Sequence, residues 1–231
     1  MQDLTLRATE GLSKSRFDYL CVRCKCRARA YDNKKPQEHC ERCILVYQRL
    51  QQVKNNPELA ERIILNIVGG LYKDAHIGEL GEGLIERFSS LTESQDLVLH
   101  GDVGVGKTYA MAALVRYFVQ RGYKCIRVNF DDYLCDLRSL IGTDRSEHQF
   151  IQPLKAVDKL FIDDLGLRTR QETDYAFTTL YNILNKRQEW NLPTYITTNK
   201  NITGLEESFD TRISSRLKGA MVLNLTGEDR R

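Results

Sequence analysis

The chain is predicted to be an α/β protein, a parallel sheet flanked by helices, with a small cysteine-rich module ahead of it. Three observations predict this. Short apolar runs alternate with helix-period segments between about residues 96 and 225. One of those runs passes through a glycine-rich loop straight into a helix. Five of the seven cysteines lie between Cys21 and Cys43, away from the alternating elements.

The glycine-rich loop carries the most specific signal. Gly101-Asp102-Val103-Gly104-Val105-Gly106-Lys107-Thr108 fits G-x-x-x-x-G-K-[ST]. The apolar strand Asp96 to His100 precedes it, and a helix from Tyr109 to Gln120 follows. Strand, loop and helix in that order form a phosphate cradle, because glycines let backbone N–H groups turn inward and the helix N-terminus adds positive potential. Lys107 is expected to reach the β- and γ-phosphates of a nucleoside triphosphate, and Thr108 to give its hydroxyl to Mg²⁺. Gly101, Gly104, Val105, Gly106 and Tyr109 complete the expected nucleotide-binding set.

The later elements follow in order. Tyr123 to Phe130 alternates as a strand, and helices are expected over Asp131 to Ile141 and Glu147 to Val157. Lys159-Leu160-Phe161-Ile162-Asp163-Asp164 is an apolar strand ending in two carboxylates. After a phosphate loop this reads as the second nucleotide motif: Asp163 would help hold Mg²⁺, and Asp164 would polarise the attacking water. A helix spans Glu172 to Trp190, with Trp190 expected to cap the core. Pro193 to Asn199 is a strand with a polar tip. Asp210 to Leu217 is a short helix carrying Arg212 and Arg216 on one face, and Met221 to Leu225 is the last strand.

The N-terminal module holds Cys21-x-x-Cys24 and Cys40-x-x-Cys43, separated by 15 residues, the spacing of a zinc site. Four thiolates would complete a closed tetrahedron, so the role is structural. Cys26 and His39 compete as ligands. Cys125 and Cys135 are expected to be small core residues. After Cys43, Ile44 to Val53 reads as a helix, and Asn55-Asn56-Pro57 as a break with Pro57 opening the next helix. This divides the chain into a basic zinc-binding module, residues 1–55, and a catalytic domain, residues 56–231.

Composition narrows the class. No run approaches the length of a membrane span and no signal peptide is present, which predicts a soluble, cytoplasmic protein with no membrane partner. Residues 1–56 hold 12 Lys and Arg against 6 Asp and Glu, and the remainder holds 22 against 25. The basic segment suits nucleic acid, an acidic protein face, or simply solvent.

The order phosphate loop, Asp-Asp strand end, Thr197-Thr198-Asn199 strand tip and Arg212-Ile-x-x-Arg216-Leu helix resembles the AAA+ ATPases of the initiator clade. Over about residues 70–226 it is similar to the DnaC and DnaI helicase loaders and the transposition helper IstB. The resemblance implies that Asn199 senses the γ-phosphate and that Arg216, supported by Arg212, acts on ATP held by a neighbouring subunit in a ring or spiral. It implies an extra helix at Asp131 to Ile141. Because the sequence stops six residues after the last strand, it also implies a core without a C-terminal lid, unlike full-length DnaA-like initiators. Tyr72 to Ala75 would lie against the adenine. Single-stranded DNA would meet basic residues, with Arg138, Arg145, Arg168 and Arg170 as candidates. The short zinc module resembles the DnaI plan, which implies docking on a replicative helicase. The alternatives are an IstB- or TnsC-like ATPase that regulates DNA transposition, and a zinc-dependent adaptor with a vestigial ATPase. ATP rather than GTP is implied, because no N-K-x-D guanine motif is present.

Overall fold

A computed structural model of the 231-residue chain describes residues 21, 23–24, 31–32, 35–36, 38–140, 142–144, 146–166, 173–200 and 211–227. The chain forms two compact units, residues 1–47 and 48–231. In the first, the short strands β1 (Tyr31–Asp32) and β2 (Lys35–Pro36) pair antiparallel. Helix α1 (Glu41–Asn55) is longer than its apolar pattern suggested. It runs without interruption past residue 47, to the position 55 where sequence places the domain boundary.

Helix α2 (Pro57–Val68) begins where Pro57 predicts. The Asn56 side chain accepts the Leu59 N–H at 3.0 Å, and Pro57, which has no N–H to leave unsatisfied, sits in the first turn. Two 3₁₀ turns, Gly70–Tyr72 and Ile77–Glu79, and helix α3 (Glu82–Ser89) lead to the sheet.

The core alternates strand and helix: β3 (Leu97–His100), α4 (Lys107–Val119), β4 (Cys125–Asn129), α5 (Phe130–Ser139), α6 (Glu147–Ala156), β5 (Lys159–Asp163), α7 (Thr173–Glu189), β6 (Thr194–Thr198), α8 (Thr211–Leu217) and β7 (Met221–Asn224). Its five strands lie in the order β4-β5-β6-β3-β7, all parallel. β3 therefore sits between β6 and β7, and its C-terminal end opens at the crevice where strand order reverses. Ligands of open α/β sheets bind at such a switch point.

Both faces of the sheet are covered. On one, α2, α3 and α4 bury Ile64, Phe88, Leu114 and Phe118 against Leu97, Phe161 and Tyr195. On the other, α5 to α8 bury Leu134, Leu154, Leu180 and Ile213 against Val98, Leu160 and Ile196. A buried side chain of this size contributes about 1.5–3 kcal/mol, and with helices on both faces β5 and β6 are buried along their whole length.

Buried cations tie the frame together. Arg187 donates to the carbonyls of Leu154 (2.8 Å), Val157 (2.9 Å) and Pro193 (2.6 Å), joining α7 to the ends of α6 and β6. Arg116 on α4 pairs with Glu61 at 2.5 Å and donates to the carbonyls of Lys73 and Ala75. The 70–76 segment is thus pinned beside the helix that follows the phosphate loop.

Two expectations are corrected. Cys125 is buried, but Cys135 is exposed, because α5 turns Leu134 and Leu137 inward and leaves Cys135 on its outer face. Trp190 does not cap the core. It is 48% exposed, with the Lys186 ammonium 5.7 Å from its ring.

Asp96, just before β3, accepts the Thr194 N–H at 2.6 Å. Burial pushes its carboxyl up to about 6, against that hydrogen bond and the attraction of Arg187 and Lys159. An acid whose folded pKa is raised stabilises the fold below the unfolded pKa, near 4, and loses that contribution as pH rises through about 6. Asp96→Asn should flatten this loss, by about 1–2 kcal/mol between pH 4 and 7 in denaturant unfolding.

Candidate functional site

The loop between β3 and α4 is shaped by glycines. Gly106 lies at φ +92°, a left-handed conformation that costs glycine little, and it delivers the chain into the first turn of α4. Gly101 is held by contact as well as by its φ of +149°. A side chain there would run into the Leu225 carbonyl, which follows β7. The Leu225 N–H donates to the His100 carbonyl at 2.7 Å, so the end of β7 fixes where the loop begins.

Lys107 is mostly buried, and its ammonium folds back to the carbonyls of Gly101 (2.8 Å) and Asp102 (2.6 Å). Thr108 donates its hydroxyl to Asp163 Oδ1 at 3.2 Å, joining the start of α4 to the tip of β5. Asp163 Oδ1 also accepts the Thr197 hydroxyl at 2.5 Å, and Oδ2 receives an Arg127 guanidinium N–H at 2.5 Å. Next along the chain, Asp164 takes φ +53° and donates its N–H to Thr197 Oγ1 at 2.7 Å. That turn lifts the Asp164 carboxylate out into solvent, where Asn199 Nδ2 approaches it at 3.4 Å. The Leu165 N–H to Thr197 carbonyl bond (2.8 Å) and the Thr198 hydroxyl to Leu165 carbonyl bond (2.8 Å) lace the two strand tips together.

These groups line one cavity of about 900 Å³, shared by Gly104, Gly106, Lys107, Thr108, Tyr109, Asp163, Asp164 and Asn199. The volume is within the range of small-molecule sites. Lys107 supplies positive charge, two carboxylates stand opposite it, and the N-terminus of a 13-residue helix points inward. Such an arrangement can hold a polyphosphate and a divalent cation together.

Gly101 and Val105 lie behind the loop rather than in that cavity. Val105 and Tyr109 line a second hollow of about 670 Å³, walled by Leu84, Arg87, Leu223 and Leu225. Of Tyr72 to Ala75, Tyr72 lines the first cavity, whereas Ala75 is buried beneath Arg116. Arg212 and Arg216 line neither. Their guanidinium carbons both lie 5.5 Å from the Tyr181 ring, and Arg216 donates to the Tyr181 hydroxyl at 3.2 Å. The Arg138 guanidinium stands 5.8 Å from the Tyr175 ring. Arg145, Arg168 and Arg170 lie outside the described residues.

Two residues of the site carry no motif of their own. Arg127 reaches Asp163 from β4, and Thr197 binds both Asp163 and the Asp164 backbone. The signal for Arg127 was a charged residue inside a strand otherwise predicted as a sheet element. For Thr197 it was a second threonine before Asn199.

In the first unit, the sulfurs of Cys21, Cys24, Cys40 and Cys43 all lie within 4.8 Å of one another, and none forms a disulfide. Cys24 and Cys40 Sγ are 3.8 Å apart. A tetrahedral zinc with bonds of about 2.3 Å would set its sulfurs about 3.8 Å apart. Burial pushes the Cys40 and Cys43 thiols up, so holding these two as thiolates needs a cation beside them. The donor set therefore fits zinc. His39 Nδ1 stands 4.0 Å from Cys21 Sγ, beside the four-sulfur group. Cys26 lies outside the described residues.

The fold and site have known counterparts. The chain is 25% identical over 122 residues to the replicative helicase loader DnaC of Escherichia coli (strain K12), covering 52% of this chain and 49% of that protein. It is 24% identical over 187 residues to the DnaC of Buchnera aphidicola subsp. Acyrthosiphon pisum, covering 78% and 74%. The chain thus spans about half the length of the Escherichia coli relative. Among solved structures, that of DnaI superposes with a TM-score of 0.55 at 24% identity, over 68% of this chain and 91% of the other. A DnaC helicase loader superposes at 0.59 with 19% identity, over 68% and 100%. These likenesses show that the chain shares the fold of the DnaI and DnaC structures. The sequence model of IstB-like ATP binding proteins matches residues 84–223, from α3 through β7, and the chain belongs to that family.

Proposed function

We propose that the chain is an ATP-dependent loader of a replicative DNA helicase. The observation that carries the ATPase part is the convergence of Lys107, Thr108, Asp163, Asp164 and Asn199 on one cavity at the strand-order switch. In this reading the phosphates lie on Gly104 to Thr108, and Lys107 leaves its loop carbonyls for the β- and γ-phosphates. Thr108 and Asp163 would hold Mg²⁺, which would supply positive charge against the phosphoryl oxygens. Asp164, exposed and turned by its left-handed backbone, accepts a hydrogen bond from the attacking water, and Asn199 holds that carboxylate in place. Tyr72, from the Tyr72 to Ala75 segment expected beside the adenine, lines the cavity, and the hollow of Leu84, Val105, Leu223 and Leu225 offers the base a further apolar wall.

Arg216 is assigned to a neighbouring subunit's ATP, with Arg212 beside it. Its position on Tyr181, off the cavity of its own subunit, supports action in trans within a ring or spiral. Zinc on Cys21, Cys24, Cys40 and Cys43 would shape the N-terminal module as the helicase-docking piece, and the oligomeric core would hold single-stranded DNA. The similarity to two DnaC proteins named as replicative helicase loaders supports this reading.

A second reading is favoured by the family match to IstB-like proteins: an ATPase that coats DNA and regulates transposition. The two separate in a pull-down of the zinc-loaded chain against the replicative helicase with ATP, with residues 1–55 present or deleted. The loader predicts capture that is lost on deletion. ATP-dependent coating of duplex DNA without helicase capture would select the transposition regulator.

Among the described residues no helix is long and apolar enough to cross a membrane.

A further inference from the structure

Arg127 lines the cavity, yet the phosphate-loop chemistry leaves its position unexplained. It stands on β4 opposite Phe161, two residues before Asn129, which is in register with Asp163. From there its side chain runs up the sheet to the strand tips. One guanidinium nitrogen donates to Asp163 Oδ2, and another makes a long 3.3 Å bond to the Val68 carbonyl. Its Nε is buried with no hydrogen-bond partner. The guanidinium carbon is 5.7 Å from the centre of the Tyr72 ring, and both residues line the cavity that holds Lys107, Thr108 and Asn199.

The Asp163 carboxylate is 6% exposed, and its oxygens are already engaged. Oδ1 accepts two hydroxyl groups, and Oδ2 accepts Arg127. A divalent cation held by Thr108 and Asp163 would compete for that carboxylate with a guanidinium, since the two cations repel. Arg127 has a long side chain, an unpartnered N–H and only one strong acceptor. If Mg²⁺ and a triphosphate enter together, phosphate oxygens in the same cavity are the acceptors within its reach, and a guanidinium binds them in a planar fork.

Building on the assignment of this cavity to Mg·ATP, we infer that Arg127 is an exchangeable counter-ion. It pairs with Asp163 when no nucleotide is bound and with the terminal phosphate when Mg·ATP is bound. Arg127 thereby reads the γ-phosphate within its own subunit and links Mg²⁺ occupancy to nucleotide state. A purely structural ion pair, clamping β4 to β5, would stay in place in every state.

The test is binding, measured with the full zinc-loaded chain and a fluorescent ATP or ADP analogue while Mg²⁺ is titrated. Arg127→Gln removes the competing cation, so its Mg²⁺ midpoint should fall severalfold. Its preference for ATP over ADP should drop by about tenfold or more, the loss of one charge-assisted contact to phosphate. Arg127→Lys keeps the charge and should hold the midpoint near that of the wild-type chain. A second readout does not depend on a variant's fold. The Arg127 Nε–H resonance of the ¹⁵N-labelled wild-type chain, identified by its absence in Arg127→Lys, should move with Mg·AMPPCP and not with Mg·ADP. A resonance unmoved by Mg·AMPPCP, or a Gln variant with unchanged midpoint and preference, overturns the exchange while leaving the ATP site intact. A wild-type chain that binds neither nucleotide overturns both.

Discussion

Arg216→Ala is expected to bind ATP as tightly as the wild-type chain and to hydrolyse it about 10³-fold or more slowly, the scale of an arginine supplied to a phosphoryl transition state. The separation follows from position. Arg216 sits on α8 against Tyr181 and lines neither hollow beside the phosphate loop, so removing it takes nothing from the subunit's own nucleotide contacts. In the proposed assembly it would remove a charge from the neighbour's site. Lys107→Ala has the opposite defect: it cannot hold nucleotide but still presents Arg216. Mixing the two variants, each nearly inactive alone, should restore a fraction of the wild-type rate through mixed interfaces. Steady-state hydrolysis of the mixture is the measurement. No recovery on mixing, or full activity in Arg216→Ala alone, would place the missing charge elsewhere.

The second large effect concerns the cysteine module. Chelating zinc, or replacing Cys40 and Cys43 with serine, should unfold the first unit while the second unit keeps its phosphate-loop cavity. Residues 1–47 form their own compact unit, and its described buried cluster consists of Cys21, Cys40 and Cys43 with Cys24 packed against them. With so little apolar core among the described residues, folding is expected to depend on metal, which supplies about 10–16 kcal/mol in comparable peptides. Limited proteolysis should then cut before α2 and leave a resistant core of about the size of the second unit. Metal analysis should find zinc in the wild-type chain and lose it in the double variant. A module that resists both the protease and the chelator would show that the four thiols pack without a metal.

The phosphate loop was legible because its chemistry is local. Glycines, Lys107 and Thr108 act within eight residues of chain, and the flanking strand and helix supply the context. Asp163 was legible for the same reason, as the end of a buried apolar run. Arg127 and Thr197 were not, because their roles depend on the register of β4, β5 and β6, which local patterns do not encode. Helix α3 went unread, since Glu82 to Ser89 is short and starts beside two glycines, Gly81 and Gly83. The path of segment 70–80 was not legible for a related reason: Arg116, far along the chain, fixes it through the carbonyls of Lys73 and Ala75. Cys135 and Trp190 show the limit of reading burial from neighbours in sequence. Cys135 lies next to core residues and helix geometry turns it outward, whereas Trp190 follows the last turn of α7 among exposed neighbours.

The loader reading is tested most directly by helicase delivery. Forked DNA coated with single-stranded DNA-binding protein would be mixed with the replicative helicase, and unwinding followed with and without the zinc-loaded chain and ATP. The account predicts a large rise in unwinding that requires the chain, depends on ATP and disappears with Lys107→Ala or with residues 1–55 deleted. Unwinding that the intact chain leaves unchanged would contradict it.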